Sequence, residues 1–216
     1  MLMRNTPRIT DQPKRSRLVS EPSDEELLQR YRDRRDQEAF QTLVHRYEQD
    51  LYRYLYRYLG DAALAEDVFQ TTFLQVHLKS HQHESGRPVR PWLYAIATHQ
   101  AIDALRRRGR QHAVSLDAHH LNNGEGDLDT LIDLLSAHET APTKAVEDDE
   151  RRALMRRSVA ELPESLRTVV LLIYYQGLKY RDVAAILDIP VGTVKSRLHG
   201  ALVKLGETWK RHHLGN

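Results

Sequence analysis

Residues 177 to 205, Gly-Leu-Lys-Tyr-Arg-Asp-Val-Ala-Ala-Ile-Leu-Asp-Ile-Pro-Val-Gly-Thr-Val-Lys-Ser-Arg-Leu-His-Gly-Ala-Leu-Val-Lys-Leu, read as two short helices around a turn. Val183, Ala184 and Leu187 give the first an apolar ridge, and Asp188-Ile189-Pro190 breaks it so that Val191 can open the second. Val194, Leu198, Ala201, Leu202 and Leu205 recur at three- and four-residue steps and should pack inward. Thr193, Lys195, Ser196, Arg197 and His199 are left pointing outward. A helix-turn-helix presents donors to the DNA major groove in this way; an ordinary helical hairpin with a solvated polar face is the plainer alternative.

The charge map agrees with a nucleic-acid partner. The chain of 216 residues carries a formal net charge of only +2, but that total hides +4 over residues 1–20, 0 over 21–111, −9 over 112–150 and +7 over 151–216. A basic C-terminal segment is the electrostatic footprint expected of a phosphate-binding surface. The absence of cysteine excludes disulfides and thiolate metal sites and suits a reducing compartment. No apolar run approaches the length of a membrane span and no secretory core opens the chain, so a soluble, intracellular protein without membrane insertion is expected. Residues 1–22, with three prolines and scattered Arg and Lys, read as a disordered basic arm.

Helical periodicity organises the rest. Ser23 with Glu26 three residues on is a capping-box signature, followed by Leu27, Leu28 and Tyr31. The stripe resumes at Ala39 and Phe40, continues through Leu43, Tyr47, Leu51, Tyr54 and Tyr58, and stops at Gly60. Asp61 can cap the next helix, whose Leu64, Val68, Phe73, Leu74 and Val76 form a broad apolar face. After a loop from His81 to Pro88, residues 90 to 108 make a fourth helix with Trp92, Leu93, Ile96, Ala97, Ile102 and Leu105. The fold class predicted is all-α: two small helical domains, residues 23–111 and 143–216, joined by a flexible acidic linker over 112–142. Within that linker Leu128, Leu131, Ile132, Leu134 and Leu135 could still form one short helix that docks elsewhere. A helix is expected from Thr143 to about Glu161, with Pro163 as the first residue of the next and Leu166, Val169, Val170, Leu171 and Ile173 building the core beneath the helix-turn-helix.

In this order the segments resemble the extracytoplasmic-function group of bacterial RNA polymerase sigma factors. The likeness rests on Ala65-Glu66-Asp67-Val68-Phe69-Gln70-Thr71-Thr72-Phe73-Leu74, on Arg90-Pro91-Trp92-Leu93-Tyr94-Ala95-Ile96-Ala97 continuing through Ala101 to Arg107, and on Leu162-Pro163, Arg167 and Pro190 to Leu198. It implies that Asp67, Gln70, Thr71 and Leu74 face core RNA polymerase. Arg87, Arg90, Trp92, Tyr94, His99, Arg106 and Arg107 would melt and read the minus-ten promoter element, and Thr193, Lys195, Ser196, Arg197 and His199 the minus-thirty-five element. The partners implied are core polymerase and promoter DNA, as duplex and as melted strand, with an anti-sigma factor as a further partner that the resemblance admits. Aromatic faces that replace lost base stacking, beside cations that hold the unpaired strand, are what strand opening requires. Trp92 also shares a helix face with Ile96, so core packing and base stacking both stay open for it.

Several positions depart from the family pattern. Thr71 stands where Glu is usual, Thr98-His99 where Arg-Asn is frequent, and Gly200 at a position often basic. Lys179 replaces the usual capping Ser and Asp182 the usual Glu, so the capping box of that helix is lost. Asp188 occupies a turn position commonly held by Gly, which Asp tolerates because it visits left-handed backbone more readily than most residues.

Two rival classes fit the residues less well. An enzyme would need a Gly-rich phosphate loop, a nucleophile elbow or paired carboxylates, and none is present, so no cofactor and no catalysis are expected. His77 and His81 with His83 have a spacing that can hold zinc, but no Glu sits in a His-Glu-x-x-His pattern and twelve histidines make chance pairs common. The other rival is a helix-turn-helix regulator that never engages polymerase, and residues 61–108 discriminate against it.

Overall fold

A computed structural model describes residues 21–111 and 146–214, and within them every regular element is helical. The N-terminal domain holds α1 (Asp24–Arg34), α2 (Gln37–Leu59), α3 (Ala62–Lys79) and α4 (Val89–Gln111), with a single 3₁₀ turn at Ser80–Gln82. The C-terminal domain holds α5 (Val146–Ala160), α6 (Glu164–Val170), α7 (Tyr180–Leu187) and α8 (Val191–Leu214). The arm, apart from Glu21 and Pro22, and the acidic linker, with its leucine-rich stretch, lie outside the described residues.

Side-chain caps set the helix starts. The Ser23 hydroxyl accepts from the Glu26 N–H at 3.2 Å while Glu26 accepts from the Ser23 N–H at 2.8 Å, completing the capping box. Asp36 and Asp61 cap α2 and α3 by accepting from the N–H groups of Ala39 and Leu64, each at 3.1 Å. Left-handed Arg35 ends α1 and left-handed Gly60 ends α2. Pro163 sits one residue earlier than the sequence reading placed it, at the N-cap of α6, with Glu164 as the first helical residue.

Leu27, Leu43, Leu51, Tyr54 and Tyr58 are buried under α3 and α4, as their spacing required. Leu74 corrects the expected apolar face of α3: it is 55% exposed, because Val68, Phe73 and Val76 already fill the side that meets α2 and α4. Thr72, on the buried side, is satisfied by its own helix, its hydroxyl donating to the Val68 carbonyl at 2.7 Å.

The two domains pack against each other, and their buried residues form one continuous apolar cluster. At the seam the Tyr58 hydroxyl and the Thr168 hydroxyl lie 2.9 Å apart, and Thr168 in turn donates to the Glu164 carbonyl at 2.7 Å. Desolvation raises the Tyr58 phenol to about 12, so it stays a donor throughout the physiological range. Arg57 stands 4.6 Å over the Tyr175 ring and Arg167 5.6 Å over that of Tyr58. Helix α7 lies against α4.

Helix α6 does not end where its α-helical bonding ends. Leu171–Tyr175 continues it as a wider π-turn, closed by Gly177 at φ 63°, whose N–H donates to the Ile173 carbonyl at 3.0 Å.

Candidate nucleic-acid interface

Helix α8 begins at Val191, directly after the turn at Asp188, which is left-handed at φ 50°. Val194, Leu198, Ala201, Leu202 and Leu205 are buried against α6 and α7, which fixes the rotation of the helix. Lys195, Ser196 and His199 are thereby exposed in one row, with Thr193 and Arg197 half-buried at its flanks. The Ser196 hydroxyl donates to the Thr193 carbonyl at 3.1 Å, so it presents its lone pairs outward. Lys179, at the N-cap of α7, makes no side-chain cap, which matches the lost capping box.

A second surface lies between α3 and α4. Asp67, Gln70, Thr71 and Leu74 line one wall of an open groove of about 820 Å³. The other wall comes from α4, where Gln100, Ala104, Arg107 and Arg108 recur at the i, i+4, i+7, i+8 spacing of a single helix face. Arg107, which the family resemblance puts in the minus-ten set, is among the residues of this wall. Gln100, not singled out in the sequence, shares this helix face by the same spacing. Arg108 pairs with Asp61 at 2.9 Å across the mouth of the groove, and the Leu64 N–H, with that cation second, holds the Asp61 carboxyl below the usual range.

The residues expected to melt DNA do not form one exposed patch in the packed chain. Tyr94 is fully buried and stacks edge-on against Tyr54 at 5.3 Å, so its ring is core and unavailable to a base. Arg90 is part-buried, 5.2 Å over the Tyr94 ring, and donates to the Gln176 carbonyl at 3.1 Å, which makes it a strut between the domains. Trp92 is half-buried, its ring 4.9 Å from that of His83, in a cleft whose opposite wall is Asp182, Ala185 and Ile186 of α7. Arg87, His99 and Arg106 are exposed, with Arg87 paired to Glu84 at 2.6 Å. His77 is engaged by the Tyr31 hydroxyl and lies edge-on to Phe40, with ring centroids 6.3 Å apart.

Known proteins share both regions. Residues 43–111 match the sigma-70 region 2 family and residues 152–205 the sigma-70 region 4 family. The chain is 34% identical over 164 residues to the ECF RNA polymerase sigma factor SigW of Bacillus subtilis, covering 76% of this chain and 85% of the relative. It is 33% identical to the RNA polymerase sigma-H factor of Pseudomonas aeruginosa, over 85% of this chain and 92% of that one. Its fold is similar to that of CnrH in complex with the cytosolic domain of CnrY, with a TM-score of 0.61 at 20% identity over 87% of this chain and 97% of the other. It is also similar to the sigma factor RpoE in complex with the anti-sigma factor NepR from Bartonella quintana, with a TM-score of 0.58 at 22% identity over 79% and 96% of the two chains. Both matched regions, in order on an all-helical two-domain fold, establish that the chain belongs to the extracytoplasmic-function family of RNA polymerase sigma factors and directs transcription initiation.

Proposed function

We propose that the groove between α3 and α4 docks on core polymerase, that α8 reads the upstream promoter element, and that the start of α4 with the loop before it engages the downstream element once the domains separate. The observation that carries this reading is the groove itself. It gathers Asp67, Gln70, Thr71 and Leu74, the set named by the family resemblance, onto one open surface separate from the exposed row on α8. An exposed apolar Leu74 beside a carboxylate and two neutral polar groups suits a helical protein partner better than a phosphate backbone. On this reading the chain performs no covalent chemistry and works in the cytoplasm, where the template is. A partner that holds it inactive belongs to the same reading, supported by the anti-sigma complex among the similar structures.

Charge reversal separates the two surfaces. Asp67→Arg should abolish core-polymerase binding, since a like-charge clash at an interface costs several kcal/mol, while leaving binding of the C-terminal domain to promoter DNA intact. Arg197→Ala and Lys195→Ala should do the reverse. Where the removed side chain touched a base, the substitution should cost about 1 to 3 kcal/mol and relax specificity; where it touched a phosphate, it should lower affinity evenly and flatten the salt slope by about one. A folded Asp67→Arg chain that binds polymerase at wild-type strength overturns the docking assignment.

A further inference from the structure

A separate groove, which shares no lining residue with α8 or with the α3–α4 groove, lies where α2 of the first domain meets α5 and α6 of the second and has a volume of about 400 Å³. Its floor is apolar, formed by Val159, Leu171 and Tyr175. At its mouth stands Tyr56, 49% exposed, a large aromatic with one face open. Three cations line it: Arg57, stacked over Tyr175, and the exposed Arg156 and Arg157. An apolar floor within a cationic rim fits an amphipathic, acidic helix.

We infer that this groove is the docking site of the chain's own segment Asp127-Leu128-Asp129-Thr130-Leu131-Ile132-Asp133-Leu134-Leu135. Two observations select this occupant. Leu128, Leu131, Ile132 and Leu135 stand at i, i+3, i+4 and i+7, the anchor spacing of a helix laid in a groove, and the segment carries three acids and no base. The chain also leaves the described structure near one end of the groove and re-enters it on a helix that walls the groove. Helix α4 ends at Gln111, three residues beyond Arg108, whose partner Asp61 adjoins groove residue Gly60. Helix α5 opens at Val146 and supplies Ala153, Arg156 and Arg157 to the wall. The ten residues between Leu135 and Val146 extend to roughly 33 Å, ample to reach a wall built from the same helix.

The cysteine-free chain permits a clean test by disulfide trapping in the full-length protein. Tyr56→Cys with Leu131→Cys should form an intramolecular disulfide at least about tenfold faster than Leu78→Cys with Leu131→Cys, because docking raises the local concentration of one thiol at the other. Leu78 is exposed on α3 and outside the groove. Adding Arg156→Glu and Arg157→Glu should remove that advantage. Equal rates at the two positions overturn the proposal, and so do disulfide-linked dimers in place of the intramolecular product, which would make a second copy the occupant. Hydrogen exchange on the unaltered chain gives an answer independent of the cysteine variants. Amides of residues 128–135 should be protected at low salt and lose protection at high salt, and exchange at unstructured rates in both conditions would sink the idea.

Discussion

His83 shows how burial turns a single side chain into a pH-dependent element. Desolvation lowers its pKa below the usual imidazole value, Arg32 and Arg87 lower it further, and a hydrogen bond to the Pro88 backbone and the charge of Glu25 oppose them. The unfolded chain therefore takes up a proton here as pH falls through about 6.5, before the folded chain does. Stability is unaffected by this group above that value and declines below it. The melting temperature should fall as the pH drops below about 6.5, and fall less in His83→Phe, which keeps a ring against Trp92; equal falls would mean that other groups carry the acid sensitivity. Tyr94 carries the opposite lesson. Its place in an aromatic, basic stretch made it read as a base-stacking residue, but its i+4 relation to Thr98, which accepts a hydrogen bond within the core, puts it on the buried face. Its hydroxyl has no protein partner among the described residues, so Tyr94→Phe should melt no lower than wild type and open promoters normally. Impaired opening by a folded Tyr94→Phe chain would restore a DNA role.

Among the elements, the helix-turn-helix was fully legible because each of its decisions is local. The stop at Asp188, the start at Val191, the missing cap at Lys179 and the inward stripe of α8 all follow from residues within a few positions of one another. The cap makes a quantitative case: Lys179→Ser combined with Asp182→Glu restores Ser-x-x-Glu at the start of α7 and should stabilise the C-terminal domain by about 0.5 to 2 kcal/mol in chemical denaturation. Replacing left-handed Asp188 by Val should destabilise it by about 1 to 2 kcal/mol, whereas Asp188→Gly should be neutral or stabilising. The π-turn at Leu171–Tyr175 was not legible. Its apolar run is equally compatible with ordinary helix, and no local residue marks the wider turn. The face of α3 was misread at Leu74 for a related reason. Apolar residues occupy more of that helix than one neighbour can cover, and only the packing shows which of them is left for a partner.

The arrangement of the whole molecule could not be read from the sequence, because seam residues such as Tyr58, Arg90 and Arg167 carry no mark distinguishing contact with the other domain from contact with their own. Yet it constrains function. The two promoter elements named by the family resemblance are about 25 base pairs apart, or roughly 85 Å of duplex, whereas a packed body of this size is only about 40 Å across. On the proposed function the packed chain cannot touch both at once, and α7 forms the opposite wall of the cleft at Trp92. Ala185→Arg, placed at an exposed position of that contact, should raise the radius of gyration measured by X-ray scattering without loss of helix content. An unchanged radius would show that the α4–α7 contact does not hold the domains together. The Tyr58–Thr168 bond joins residues 110 apart in sequence, which places the seam in the domain of polymer statistics. Closing a flexible loop costs free energy only as the logarithm of its length, so inserting a flexible Gly-Ser stretch as long as the 34-residue connection over 112–145 should weaken the closed form by about 0.6 kcal/mol. The distance the two domains can reach when apart is therefore free to change by insertion and deletion while their affinity when together stays almost fixed.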